Sequence, residues 1–143
     1  MDVNTAFLNE YLKENVFMSH PKGFVVKGQE HKVCKLMKSL YGLKQALQAW
    51  YEKLTEHLLK LNFKHYNLDD ATLFVKKVGK TVAYVVVYVD DLLITGKNER
   101  YIASIKKELR KCFEMTDLGY VHYYLGIEVT QHLKFIFLSE KNI

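Results

Sequence analysis

Two adjacent carboxylates, Asp90 and Asp91, interrupt an otherwise apolar and β-branched stretch, with Ala83-Tyr84-Val85-Val86-Val87-Tyr88-Val89 before them and Leu92-Leu93-Ile94-Thr95-Gly96 after. Runs of that composition form buried strands, so the pair falls where the chain turns back on itself as a hairpin. Neighbouring carboxylates repel each other and resist losing water; a cation between them, or contact with solvent, relieves both penalties. A divalent-metal site is therefore one chemical reading. A solvated Asp-Asp turn closing an ordinary hairpin is the other, since Asp is a favoured turn former.

Little else in the chain competes for metal or thiol chemistry. Cys34 and Cys112 have neither the number nor the spacing of a disulfide framework or a zinc site, which fits a reducing compartment. The six histidines are scattered, with no His-x-x-x-His pair. Net charge is +5, from 21 Lys and Arg against 16 Asp and Glu, and its distribution is uneven. Residues 32–64 carry +5 and residues 96–114 carry +3, whereas 1–31, 65–95 and 115–143 are each −1. Basic stretches flanking an acidic pair suit a polyanion that must reach a metal. A lysine-rich solvated helix face accounts for the same charges.

With 143 residues, 49% hydrophobic and 26% charged, the chain is expected to form one ordinary folded domain rather than a disordered segment. Met1-Asp2-Val3-Asn4 lacks the basic start and apolar stretch of a signal peptide. The apolar run around Val82–Val89 is far short of a membrane span. The expectation is a soluble, intracellular, cytoplasmic protein with no membrane partner.

The elements that must position the acidic pair follow from periodicity. Asp2-Val3-Asn4-Thr5-Ala6-Phe7-Leu8 reads as the tail of a strand running into a turn or short helix. Val16-Phe17-Met18 and Val33-Cys34-Lys35-Leu36 read as short extended pieces either side of a loop punctuated by Pro21 and Gly23. Leu43, Ala46, Leu47, Trp50, Tyr51, Leu54, Leu58 and Leu61 recur with a helical period, and Asn62 supplies a stop signal. After a turn-prone stretch from Asn67 to Asp70, Thr72–Val78 and Lys80–Val89 read as strands joined at Gly79. A second helix, entered through Lys97–Glu99, aligns Ile102, Ile105, Leu109 and Phe113. Thr116-Asp117-Leu118-Gly119 is a turn, and Tyr123–Val129 with Lys134–Leu138 forms a terminal hairpin. The order predicts an α+β fold, an antiparallel sheet with two amphipathic helices packed on one face.

Five blocks together resemble copia-type reverse transcriptases of LTR retrotransposons. They are Asp2-Val3-Asn4-Thr5-Ala6-Phe7-Leu8; Lys38-Ser39-Leu40-Tyr41-Gly42-Leu43-Lys44-Gln45-Ala46 followed by Trp50-Tyr51; Tyr88-Val89-Asp90-Asp91; Phe113-Glu114-Met115-Thr116-Asp117-Leu118-Gly119; and Tyr124-Leu125-Gly126-Ile127-Glu128. Tyr-x-Asp-Asp alone is a moderate signal, and five blocks in family order are a specific one. The resemblance implies a palm-type sheet with part of the fingers over residues 1–143. It implies RNA- and DNA-templated DNA synthesis by two Mg²⁺ ions, with Mn²⁺ as a substitute, about 3.5–4 Å apart. RNA template, DNA primer and deoxynucleoside triphosphate are the implied partners, together with the rest of a retrotransposon polyprotein, in a cytoplasmic virus-like particle.

By that similarity Asp2 and Asp90 are direct metal ligands, with Asp91 beside them in support. Phe7 corresponds to the aromatic residue that lies under the sugar and excludes a 2′-hydroxyl, though a core Phe is an equal reading of the residue alone. Tyr41 and Gly42 match the nucleotide pocket, Tyr88 the primer contact, and Tyr124, Leu125 and Gly126 the hairpin gripping the primer end. Lys35, Lys38, Lys44 and Lys53 are candidate phosphate contacts.

The chain departs from the family pattern at several places. Ala46-Leu47-Gln48 stands where Ala-Pro-Arg is usual, losing a fixed φ and one guanidinium. Asn9-Glu10 replaces Asn-Gly. The family's basic fingers segment upstream and the thumb-like connection and RNase H domain downstream are absent from the sequence in hand, so weak or no polymerase activity is the expectation for the isolated chain. The alternatives are a degenerate retroelement remnant that only binds nucleic acid, or an interaction protein.

Overall fold

The computed structural model describes residues 1–9, 11–67, 70–132 and 134–140. Glu10, the second residue of the Asn9-Glu10 departure, and the middle of the Asn67–Asp70 stretch, at Leu68 and Asp69, lie outside the described residues. In chain order the elements are β1 (Asp2–Val3), a short 3-10 helix (Ala6–Asn9), β2 (Tyr11–Met18), β3 (Cys34–Lys38), α1 (Ala46–Lys60), β4 (Lys64–Asn67) and β5 (Asp70–Val78). They continue as β6 (Thr81–Tyr88), β7 (Asp91–Gly96), α2 (Glu99–Arg110), β8 (Met115–Thr116), β9 (Tyr123–Tyr124), β10 (Ile127–Gln131) and β11 (Ile136–Glu140). The fold is mixed, with antiparallel sheets and two helices. Among the described residues no helix is long and apolar enough to cross a membrane.

The largest sheet has six strands in the order β4-β5-β6-β7-β1-β8; β2 pairs with β3, and β10 lies between β11 and β9. Strand β6 shows the period of two that fixes a face: Ala83, Val85 and Val87 are buried while Tyr84, Val86 and Tyr88 are not. Onto the Ala83–Val87 face pack Trp50, Leu54 and Leu58 of α1 and Ile105 and Leu109 of α2, completing one core with Phe63, Phe74, Leu92 and Phe113. Burying each such side chain contributes roughly 1.5–3 kcal/mol.

Helix α1 starts at Ala46, three residues later than the apolar period suggested, because Leu40–Gln45 is wound in turns that place Gly42 at φ +91°. Leu47, expected on the apolar face, is exposed, since the buried row runs Ala46, Trp50, Leu54, Leu58. The stop at Asn62 has a clear mechanism. Asn62 takes φ +63°, its N–H donates to the Leu59 carbonyl, and the Phe63 N–H donates to Leu58; together with buried Phe63 this is a Schellman ending. Helix α2 opens on Asn98, whose side chain accepts from the Tyr101 N–H. Strand β2 is longer than the short piece expected at Val16–Met18, and Thr116, expected as the first residue of a turn, instead ends the short strand Met115–Thr116.

Candidate active site at the acidic turn

Strands β6 and β7 are registered with Tyr88 opposite Asp91, so Val89 and Asp90 form a two-residue turn. Of these two only Val89 has positive φ, +55°, which is the pattern of a type II′ turn. A β-branched residue in that region is strained by about 1–3 kcal/mol. Two other elements hold the turn in place. The Trp50 indole Nε1–H donates to the Val89 carbonyl at 2.7 Å, and the Val3 N–H donates to the Asp90 carbonyl at 3.0 Å.

Strand β1 lies antiparallel beside β7 with Asp2 opposite Asp91. The bonds Val3 N–H to Asp90 and Leu92 N–H to Met1, 2.8 Å, flank that pair rather than join it. Asp2 and Asp91 therefore form the narrow kind of antiparallel pair, with Cα atoms about 4.5 Å apart and side chains on one face. Their neighbours Val3 and Leu92 point the other way, into the core. Burial pushes the Asp91 carboxyl above the usual carboxylate range, and the charges of Asp90 and then Asp2 push it further, against the N-terminal ammonium. That ammonium donates to the Leu92 carbonyl at 2.8 Å, and burial chiefly lowers its own pKa. On the far side of β1, Thr116 of β8 pairs with Asp2, and Asn4 donates to Glu114 and accepts from the Thr116 hydroxyl.

The donor set is hard carboxylate oxygen, which suits Mg²⁺ or Mn²⁺ rather than a soft or imidazole-seeking ion. The raised Asp91 carboxyl reflects burial first and the neighbouring charges of Asp90 and Asp2 second. Among the described residues, no three His, Cys, Asp or Glu side chains are grouped so as to enclose an ion by themselves.

The other residues singled out by sequence fall in two groups. Tyr88, 51% exposed, sits opposite Asp91 at the turn. The Tyr124 hydroxyl is buried without a hydrogen-bond partner, and its pKa is raised by burial and then by the charges of Asp91 and Tyr88; β9 thus lies close to the acidic turn. Leu125 and Gly126, at φ +51° and +84°, form the two-residue turn from β9 to β10. Phe7 and Tyr41 make a separate pair with ring centroids 5.7 Å apart. Phe7 is partly buried against the core, whereas Tyr41 is 87% exposed. Lys38 is exposed with its ammonium 5.4 Å over the Tyr11 ring on the β2–β3 sheet. Lys35 and Lys44 are exposed on β3 and just before α1, and Lys53 lies on α1.

Two participants were missed by sequence reasoning. Trp50 read as a helix core residue and as part of a resembling block, with no role of its own, yet it donates to the turn 39 positions away. Thr116 read as a turn residue, yet it pairs with Asp2. The placing of Phe113–Gly119 among the resembling blocks was the only signal for the second.

The match to known proteins covers the whole chain. The family model described as reverse transcriptase (RNA-dependent DNA polymerase) matches residues 1–143, and the chain belongs to that family, in its copia-type branch. It is 43% identical over 141 residues, 99% of its length, to the retrovirus-related Pol polyprotein from transposon RE1 of Arabidopsis thaliana. The corresponding Pol polyprotein from transposon TNT 1-94 of Nicotiana tabacum is 40% identical over 131 residues, 92% of this chain. The chain spans 10% of the length of each of these two relatives. No solved structure matches it.

Proposed function

We propose that residues 1–143 are the palm, with part of the fingers, of a retrotransposon reverse transcriptase, and that Asp2, Asp90 and Asp91 are its catalytic, metal-holding carboxylates. The observation that carries this reading is the narrow pairing of Asp2 with Asp91, one residue from Asp90, at the turn end of β6 and β7. Nothing in the packing of an ordinary hairpin requires a third carboxylate on a separate strand at that point. Mg²⁺ is commonly held by one or two carboxylates together with substrate phosphates, which fits carboxylates that do not enclose an ion alone. When bound there, a pair of divalent ions lowers the pKa of a primer 3′-hydroxyl and neutralises charge on the triphosphate.

The chain's own residues then bind and orient. Asp2 and Asp90 supply ligand oxygens from β1 and from the β6–β7 turn, which the Val3–Asp90 bond locks together, and Asp91 adds charge beside them. Phe7, braced by Tyr41, stands under the incoming sugar and disfavours a 2′-hydroxyl, while Gly42 lets backbone approach the nucleotide. Tyr88 and the Tyr124-Leu125-Gly126 turn contact the primer end, and Lys38 and Lys44 contact phosphates.

The test exchanges the matching segment of an RE1-type Pol polyprotein for residues 1–143 and measures primer extension on an RNA template with Mg²⁺. Template-directed incorporation that Asp90→Asn abolishes is the expected result. A folded chimera that incorporates nothing, or one that still extends with Asp2→Asn and Asp90→Asn combined, overturns the assignment.

A further inference from the structure

We infer that Trp50 is a positioning residue for the acidic turn: its indole N–H fixes the orientation of the Val89–Asp90 peptide, and with it the direction in which Asp90 leaves the hairpin. The Val89 carbonyl belongs to the central peptide of the turn. Rotating that peptide by half a turn converts type II′ into type I′, the other common two-residue hairpin. Asp tolerates the positive φ that type I′ would impose at position 90, so the alternative is accessible to this sequence. A bond to the Val89 carbonyl selects between the two.

The donor is well placed to do so. Trp50 is 1% exposed, its ring is held edge-on by Phe113 at a centroid distance of 5.2 Å and 82°, and it rides on α1 rather than on the hairpin. The adjacent carbonyl, Asp90, is held by Val3 on β1. Consecutive turn carbonyls are thus clamped from two different elements, one of them carrying Asp2. The geometric part of this inference concerns the turn alone; its catalytic consequence rests on the reading of the three carboxylates given above.

Trp50 is the only tryptophan, so replacing it with benzothienylalanine, which keeps the ring shape but has sulfur in place of N–H, deletes this one hydrogen bond. In the full ¹⁵N-labelled chain, the expected result is a second or broadened Asp90 amide signal. Hydrogen exchange at the Val3 amide should rise about tenfold while the Leu109 amide in α2 is unchanged. Unaltered Asp90 and Val3 signals overturn the inference. If the substituted chain does not fold, the wild-type indole proton decides: exchange as slow as that of the Val3 amide supports the bond, and rapid exchange overturns it. Mn²⁺ added to the wild type should broaden the Trp50 indole signal, and Asp90→Asn with Asp91→Asn should abolish the broadening. No broadening in the wild type would count against the carboxylate reading, while the exchange result would still decide the role of Trp50.

Discussion

Strand β6 has a two-residue hairpin turn at each end, and the two turns are built alike and supported differently. At Gly79-Lys80 and at Val89-Asp90 the first residue alone has positive φ, +58° and +55°. The first turn uses glycine, which accepts that conformation freely, and a Cβ added there would meet open space. The second uses a β-branched residue and compensates with bonds from α1 and β1. Strain is tolerated where surrounding structure over-determines it. Here it sits beside the carboxylates and not at the far end of the same strand.

Removing the support of the second turn has the largest expected effect. Trp50→Ala is expected to lose about 3–5 kcal/mol of stability in urea unfolding, whereas Phe137→Ala on the exposed strand β11 should stay within about 0.5 kcal/mol. Next in size is the response to metal. At a hundredfold excess over its dissociation constant, Mg²⁺ should raise wild-type stability by about 2.7 kcal/mol, and Asp90→Asn with Asp91→Asn should remove the gain.

The metal-free chain should show the matching pH effect. Because the Asp91 carboxyl is raised in the folded state, the fold favours its neutral form. Stability from this group therefore falls as pH rises from below the ordinary carboxylate value through the raised one. Asp91→Asn should abolish that fall, as thermal melts across the acidic range would record.

Exchanging the turn residues isolates the backbone strain at each end of β6. Gly79→Val should cost about 1–2 kcal/mol, since nothing compensates the left-handed conformation there. Val89→Gly should leave stability unchanged or raise it by up to about 1 kcal/mol, relief of strain being offset by the entropy of glycine. The smallest effect is expected at Asp117, whose carboxyl is held low first by its bond from Lys106 at 2.8 Å. Asp117→Asn should cost about 1 kcal/mol or less at neutral pH. The difference should vanish as pH falls through the depressed value, where the wild-type carboxyl is protonated.

Much of this arrangement could be read from residue types and spacing because it is local. The paired aspartates between β-branched runs marked a hairpin, Asn62 marked the end of α1, and Ile105 and Leu109 marked the inner face of α2. What could not be read is pairing at long range. β1 and β8 have two residues each, too few for a period of two, so nothing local announces that Asp2 lies opposite both Asp91 and Thr116. The Trp50–Val89 bond is equally silent, since a tryptophan in an apolar helical row is sufficiently explained by the core. The late start of α1 arises from the turns at Leu40–Gln45, whose apolar residues happen to keep a helical spacing.

In the proposed site a carboxylate from β1 and the pair at the β6–β7 turn act on one cation. Mn²⁺ titration followed by electron paramagnetic resonance tests this most directly, comparing the wild type with Asp2→Asn and Asp90→Asn. Saturable binding that weakens by at least about tenfold in each variant is expected. An Asp2→Asn chain that binds Mn²⁺ as tightly as the wild type would contradict it.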